Sequence, residues 1–258
     1  MENKVKFIKM HGTENDFVLF NGMSETLPEF DEKIVRKFCD RRAGVGADGI
    51  LIIMEKPGYD FHMRYLNADG SEGGMCGNGA MCAVKFASDL LNKSELKFSA
   101  SDGGHRGWVN DDLVRITISA DAEGNNCTVD GRDGYFIDTG SPHFVTELIE
   151  AEEDDLKTVG RKIRYDRLFE NGANVDFLKI MDNKYFVRTY ERGVENETNS
   201  CGTGAVAVAL MLNQTKSVDF PIELIFPGGV LLVDKSDVEG EVILEGAVKN
   251  VFQGSVLL

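Results

Sequence analysis

The chain is predicted to be an α+β protein of two pseudo-symmetric domains, each a curved, barrel-like, mostly antiparallel sheet wrapped around a central helix. Three observations carry that expectation. First, Met75-Cys76-Gly77-Asn78-Gly79-Ala80 recurs as Ser200-Cys201-Gly202-Thr203-Gly204-Ala205, so one cysteine turn is used once in each half. Second, each turn opens into a segment that is apolar nearly all round. No polar residue interrupts Ala205 to Leu212, and only Lys85, Ser88 and Asp89 interrupt Ala80 to Leu91. A helix without a polar face has to be covered on most sides. Third, much of the remaining chain reads as short strands, which supply the covering.

In chain order, strand pattern covers residues 4–10 and 17–20, and a helix is expected over 31–42, where Ile34, Val35 and Phe38 share a face. Strands follow at 49–54 and 60–66, then the first wrapped helix at 78–91, then a strand at 113–119. The polar stretch 121–126 is where the halves are expected to join. A helix around 153–163 precedes strands at 174–180 and 184–190, with Asp182-Asn183 as a hairpin tip. The second wrapped helix, 203–213, leads to strands at 222–226, 229–233 and 242–244. The spacers carry Gly, Asn and Asp, as turns require. The expected domains are residues 1–120, carrying Cys76 and completed by a C-terminal strand at about 246–258, and 121–245, carrying Cys201. The candidate active site is then the cleft between them.

A chain of 258 residues is long enough for two modest cores. Its 42% hydrophobic and 28% charged content is that of a soluble globular protein. A formal charge of -15 excludes nucleic acid and anionic membrane as partners, because phosphate binding needs a basic surface. The N-terminal stretch has no apolar signal region, and the longest apolar run is far short of the ~20 residues that span a bilayer. Five cysteines, an odd number, favour free thiols in a reducing cytoplasm over a disulfide framework.

The repeated turn proposes a chemistry. A helix N-terminus offers unpaired N–H groups and partial positive charge, which suit a carboxylate, and glycines let the ligand approach the backbone. The same field is expected to lower the pKa of a cysteine placed there. Two such turns facing one carboxylate put its α-carbon between two sulfurs. One thiolate removes the α-proton and the other thiol protonates the opposite face, inverting the centre. The N–H groups stabilise the charge that develops. Cys76 and Cys201 are therefore the candidate catalytic pair. No metal is expected, because Cys76, Cys82 and His143 lack the spacing of a zinc site. Cys39, Cys82 and Cys127 read as structural.

Beyond the cysteine turns, further motifs occur in order along nearly the whole chain. They are Lys9-Met10-His11-Gly12-Thr13-Glu14-Asn15-Asp16-Phe17, Gly44-Val45-Gly46-Ala47-Asp48-Gly49, Asn67-Ala68-Asp69-Gly70-Ser71, Gly140-Ser141-Pro142-His143, Asn174-Val175-Asp176-Phe177 and Arg188-Thr189-Tyr190-Glu191-Arg192-Gly193. With these the chain resembles the diaminopimelate epimerases, cofactor-independent isomerases of lysine and peptidoglycan precursor biosynthesis. The resemblance implies two barrel-like domains, a cytoplasmic homodimer, no cofactor, and Cys76 and Cys201 as acid and base. It implies that Gly77, Asn78, Gly202 and Thr203 hold the reacting carboxylate, and that Asn15, Asn67, Asn174, Glu191 and Arg192 recognise the substrate. Arg192 suits a bidentate grip on the distant carboxylate. His143 and Ser141 are implied as support.

Glu14, Gly49, Met81, Ser141 and Asn196 depart from the residues usual in that family, none of them at the thiols or their glycines. The rival readings are a racemase of another amino acid such as histidine on the same scaffold, and a non-catalytic amino-acid-binding protein. A histidine substrate has no distal carboxylate for Arg192. A binder would tolerate serine in place of either cysteine.

Overall fold

The computed structural model describes residues 4–120, 122–149 and 155–257, the side chain of residue 257 excepted. It divides into two compact units, Met1–Ile116 with Gly246–Leu258, and Thr117–Glu245.

In the first unit the strands are β1 (Lys4–Gly12), β2 (Asn15–Asn21), β3 (Gly49–Met54), β4 (Phe61–Asn67), β5 (Glu95–Ala100), β6 (Gly103–Asn110) and the first part of β7 (Leu113–Ser119), which ends in the second unit, with helices α1 (Glu32–Cys39) and α2 (Gly77–Leu91). The second carries β8 (Asn125–Val129), β9 (Arg132–Asp138), β10 (Pro142–Glu147), α3 (Leu156–Arg164), β11 (Asn174–Met181), β12 (Lys184–Glu191), β13 (Asn196–Thr198), α4 (Gly202–Lys216), β14 (Ile222–Phe226) and β15 (Gly229–Lys235). The last strand, β16 (Glu241–Leu257), starts in the second unit and ends in the first.

The first unit is a closed ring in the order β1-β2-β3-β4-β5-β6-β7-β16, because β16 pairs back onto β1. That closure explains one glycine. Gly254 lies opposite Phe7, and a Cβ there would come 2.8 Å from the Phe7 ring. In the second unit the order runs β15-β14-β12-β11-β10-β9-β8, with β13 beside β12.

The duplication runs deeper than the cysteine turn. In the first unit β1/β2 is antiparallel, β2/β3 parallel, β3/β4 antiparallel, β4/β5 parallel and β5/β6 antiparallel. The second repeats that alternation with β9, β10, β11, β12, β14 and β15. A parallel pair needs a crossover, and each has its helix: α1 between β2 and β3, α2 between β4 and β5, α3 between β10 and β11, α4 between β12 and β14.

The central helices are wrapped as expected. From Gly77 to Val84 every residue of α2 is buried, and α2 touches β1 through β6. Ala205 to Leu212 of α4 is buried throughout, against β9, β10, β11, β14 and β15. Each helix ends on a left-handed residue, Asn92 at φ 52° and Ser217 at φ 53°. On the other face of β2, Phe20 meets Phe38 of α1 and Phe30 (ring centroids 5.3 and 4.8 Å apart), so β2 is buried on both faces. Burying each such ring contributes about 1.5–3 kcal/mol.

Ends of expected elements shift by a few residues. The helix expected over 31–42 stops at Cys39, where the Asp40 carboxylate takes the N–H groups of Arg42 and Ala43. The helix expected over 153–163 is α3, and residues 153 and 154 lie outside the described residues, as does residue 121 of the polar stretch. The expected tip Asp182-Asn183 turns at φ 50° and 59°. The β1–β2 turn places Thr13 and Glu14 at φ 47° and 66°, the left-handed region in which glycine is freest. Five strands in the gaps, β5, β6, β8, β9 and β10, were not anticipated, nor was β13; the strands expected at 242–244 and at about 246–258 are one continuous strand, β16.

Candidate active site

Cys76 is the N-cap of α2, and its sulfur accepts from the Gly79 N–H at 3.5 Å. Asn15, the first residue of β2, turns its Oδ1 to the Cys76 sulfur (3.7 Å) and to Asn78 Nδ2 (3.5 Å). Asn78 is 1% exposed, and its Oδ1 accepts from the Thr13 hydroxyl. Behind Asn15 stands an ionic cluster. Asp48 Oδ2 accepts from Asn15 Nδ2 at 2.8 Å, Arg41 bonds both Asp16 oxygens and Asp48 Oδ1, and buried Lys9 pairs with Asp16 at 2.7 Å. Burial raises the Asp16 carboxyl, but Arg41 and Lys9 outweigh it and bring it down to about 2. Burial, then the charge of Asp16, pushes Asp48 up. Asn67 ends β4, where its Nδ2 donates to the Ser71 hydroxyl at 3.1 Å.

In the second unit Cys201 is the N-cap of α4 and is buried. Its sulfur lies 3.5 Å from Thr203 Oγ1, which lies 3.0 Å from His143 Nε2. His143 Nδ1 is 2.7 Å from Asp176 Oδ2, and the Thr189 hydroxyl donates to Asp176 Oδ1 at 2.7 Å. His143, Asp176 and Thr189 have no exposed surface. A carboxylate only accepts, so it fixes the proton on Nδ1 and leaves Nε2 an acceptor. The single Thr203 hydrogen goes to Nε2 while the thiol donates to Thr203 Oγ1, and turns to the sulfur when Cys201 is ionised. The result is a continuous path from the Cys201 sulfur through Thr203 to His143. A Cβ on Gly204 would come 2.6 Å from Asp176 Oδ1, which is why the turn needs its second glycine here.

The expected drop in thiol pKa does not hold for Cys201. Burial raises it well above the ordinary thiol range, and the carboxylates of Glu191 and Asp176 push the same way. The Thr203 hydroxyl and the Gly204 N–H favour the thiolate but do not win. Desolvation costs a charge more than one helix end returns.

Asn174 opens β11 at 3% exposure, with its amide already engaged. Nδ2 donates to Ser141 Oγ (2.8 Å) and Pro142 O (3.1 Å), and Oδ1 accepts from the Arg192 N–H (2.8 Å). It braces the 141–143 loop against the turn carrying Glu191 and Arg192. That turn is pinned by Glu195, which takes the Gly193 N–H and pairs with Arg164 of α3 at 3.1 Å. The Arg192 side chain is half-buried, and among the described residues no carboxylate pairs with it. Gly77 and Gly202 are buried first residues of their helices.

Asp176, Thr189 and Asp48 have roles here that their local sequence does not announce. Asp176 carried a usable signal: two residues after Asn174 on a strand, it faces the same way. Its partner His143 lies 33 residues away and meets it through the parallel β10/β11 register, which no local pattern encodes. Among the described residues no group of three or more His, Cys, Asp or Glu is placed to hold a metal ion, and no helix is long and apolar enough to cross a membrane.

The chain matches the family described as diaminopimelate epimerase over residues 7–114 and 135–251. It is 36% identical to the diaminopimelate epimerase of Flavobacterium psychrophilum, over 98% of this chain and 100% of that one. It is 38% identical to that of Aquifex aeolicus, over 97% of each. Among solved structures, a hydroxyproline epimerase from Agrobacterium vitis superposes with a TM-score of 0.75 at 12% identity, over 100% of this chain and 94% of the other. An Enterococcus faecalis protein of the phenazine biosynthesis PhzF family reaches 0.74 at 13%, over 99% and 100%. At those identities the structures speak to the fold, which is shared.

Proposed function

The chain belongs to the diaminopimelate epimerase family, and from that membership we infer that it is an isomerase interconverting LL- and meso-2,6-diaminopimelate. One observation carries the mechanism: each unit presents a cysteine as the N-cap of its wrapped helix, Cys76 on α2 and Cys201 on α4. The N–H groups of Gly77 and Asn78, and of Gly202 and Thr203, take the reacting carboxylate. One thiolate breaks the Cα–H bond and keeps the proton, while the electron pair spreads into the carboxylate held by those N–H groups. The other thiol delivers its proton to the opposite face, and the roles exchange in the reverse direction. Cys201 enters the cycle protonated when the substrate finds it at rest, since burial, Glu191 and Asp176 hold its proton. Thr203, His143 and Asp176 then return or remove that proton between turnovers.

Arg192 takes the distal carboxylate. Support comes from its half-buried side chain, for which the described residues provide no carboxylate partner. Asn15, Asn67 and Glu191 face the amino groups, and Ser141 and Asn174 hold the loop that presents His143. No cofactor enters this chemistry. The five free cysteines fit a reducing cytoplasm, and a homodimer is the assembly we assign by resemblance.

Incubation with LL-diaminopimelate, and separately with L-histidine, in deuterated water tests the reading by NMR. Deuterium at one α-carbon of diaminopimelate and none on histidine is the expected result. Exchange on histidine alone would move the substrate, and exchange on neither under reducing conditions would overturn the enzyme reading.

A further inference from the structure

We propose that Asp48 is a positioning residue: it decides which end of the Asn15 side-chain amide faces the Cys76 thiol. The two ends of an amide are alike in shape and opposite in chemistry. Asp48 Oδ2 accepts from Asn15 Nδ2 at 2.8 Å and from the Asp16 N–H at 3.2 Å, while Oδ1 accepts from Arg41 at 2.7 Å. An ionised carboxylate cannot donate, so it holds the N–H end of the amide and turns the oxygen toward the sulfur. Arg41 is itself tied to both oxygens of Asp16 (3.0 and 2.8 Å), and Asp16 to Lys9, so the carboxylate of Asp48 has little freedom to turn away. An amide oxygen 3.7 Å from the sulfur accepts from the thiol and repels the thiolate. Asp48 therefore biases Cys76 toward its protonated form, against the Gly79 N–H, which favours the thiolate. Only the catalytic consequence rests on the epimerase reading; the geometry stands without it.

The isosteric Asp48→Asn change reverses the bias. Its single oxygen goes to the charged donor Arg41, leaving an NH2 group facing the NH2 of Asn15 and, at longer range, the Asp16 N–H. Two donors cannot bond, so the Asn15 amide turns over, giving up its long contact with Asn78 Nδ2 (3.5 Å), and presents N–H to the sulfur. Alkylation of Cys76 by iodoacetamide at neutral pH, read by mass spectrometry without substrate, should then accelerate by about tenfold, the effect of replacing a repelling acceptor by a donor to a charged sulfur. Losing the Asp48 charge would also favour the thiolate, and two controls separate the effects. Asp48→Ala removes the charge but offers no donor, and should accelerate alkylation clearly less than Asp48→Asn. In an Asn15→Leu background no amide remains to turn, so adding Asp48→Asn should change the rate by no more than about twofold. Lys9, Asp16, Arg41 and Cys82 are unchanged in every variant. Equal acceleration by Asn and Ala, or no acceleration in a variant that melts like the parent, overturns the proposal.

A measurement on the unaltered chain covers the case in which the variants do not fold. The side-chain amide resonances of Asn15 should follow the titration of Asp48; resonances that ignore it refute the assignment. Because alkylation needs no substrate, a chain that fails to turn over diaminopimelate refutes the functional reading and leaves this result interpretable.

Discussion

Replacing Thr203 by valine removes one hydroxyl and almost no volume, and that hydroxyl joins the Cys201 sulfur (3.5 Å) to His143 Nε2 (3.0 Å). A hydrogen bond to an ionised sulfur is worth about 1.5–3 kcal/mol, which corresponds to roughly a 10- to 150-fold loss in the steps that pass through the Cys201 thiolate. The sign for pH follows from the same bond. Thr203 lowers the Cys201 pKa, so its loss moves that pKa further up, and activity that depends on the thiolate should need a more alkaline solution. The assay is the initial rate of α-deuterium incorporation into diaminopimelate across pH, beside a thermal melt. Thr203→Ser restores the hydroxyl and should recover most of the rate. A Thr203→Val protein within threefold of the parent, a matching fall in the serine variant, or an unshifted pH profile would refute the relay.

Two further outcomes follow from the charged groups. Arg192→Ala should raise KM for diaminopimelate by about 10- to 100-fold with a smaller change in kcat, the loss of a charge-assisted grip on a remote carboxylate; steady-state kinetics reads the split. Asp16 has its folded pKa depressed to about 2, so its stabilisation is present above the unfolded value near 4 and is lost as pH falls through about 2. Asp16→Asn should therefore destabilise the chain by about 2 kcal/mol at neutral pH, and the two proteins should converge near pH 2 in denaturant titrations.

Local chemistry was legible in the sequence, and long-range pairing was not. The wrapped helices stood out because a segment such as Ala205 to Leu212 has no polar face to leave in water. Hairpin tips were visible because Asp182 and Asn183 tolerate positive φ. The strands β8, β9 and β10 were hidden by their composition: glycine, asparagine and a leading proline blur the alternation, and pairing rather than propensity makes them strands. The twofold ladder could be seen only as register. The repeated turn placed both cysteines at the N-caps of the wrapped helices, but it did not foretell the Cys201 acidity. A helix end acts locally, while the Glu191 and Asp176 carboxylates and the loss of water come from the folded surroundings. Asn174, expected at the substrate from its motif, also ties Ser141 Oγ to the Arg192 N–H, a bracing contact that no local pattern encodes.

Two thiols divide one proton transfer between them in the proposed reaction. Early in the reaction in deuterated water, the epimerised product and the recovered substrate are separated and the deuterium at the α-carbon of each is measured. A pair of monoprotic thiols on opposite faces predicts deuterium in the product and essentially none in the recovered substrate, with the product signal abolished by Cys76→Ser and by Cys201→Ser while ligand still binds. Equal deuterium in the two pools, or a serine variant that epimerises at the parent rate, would contradict it.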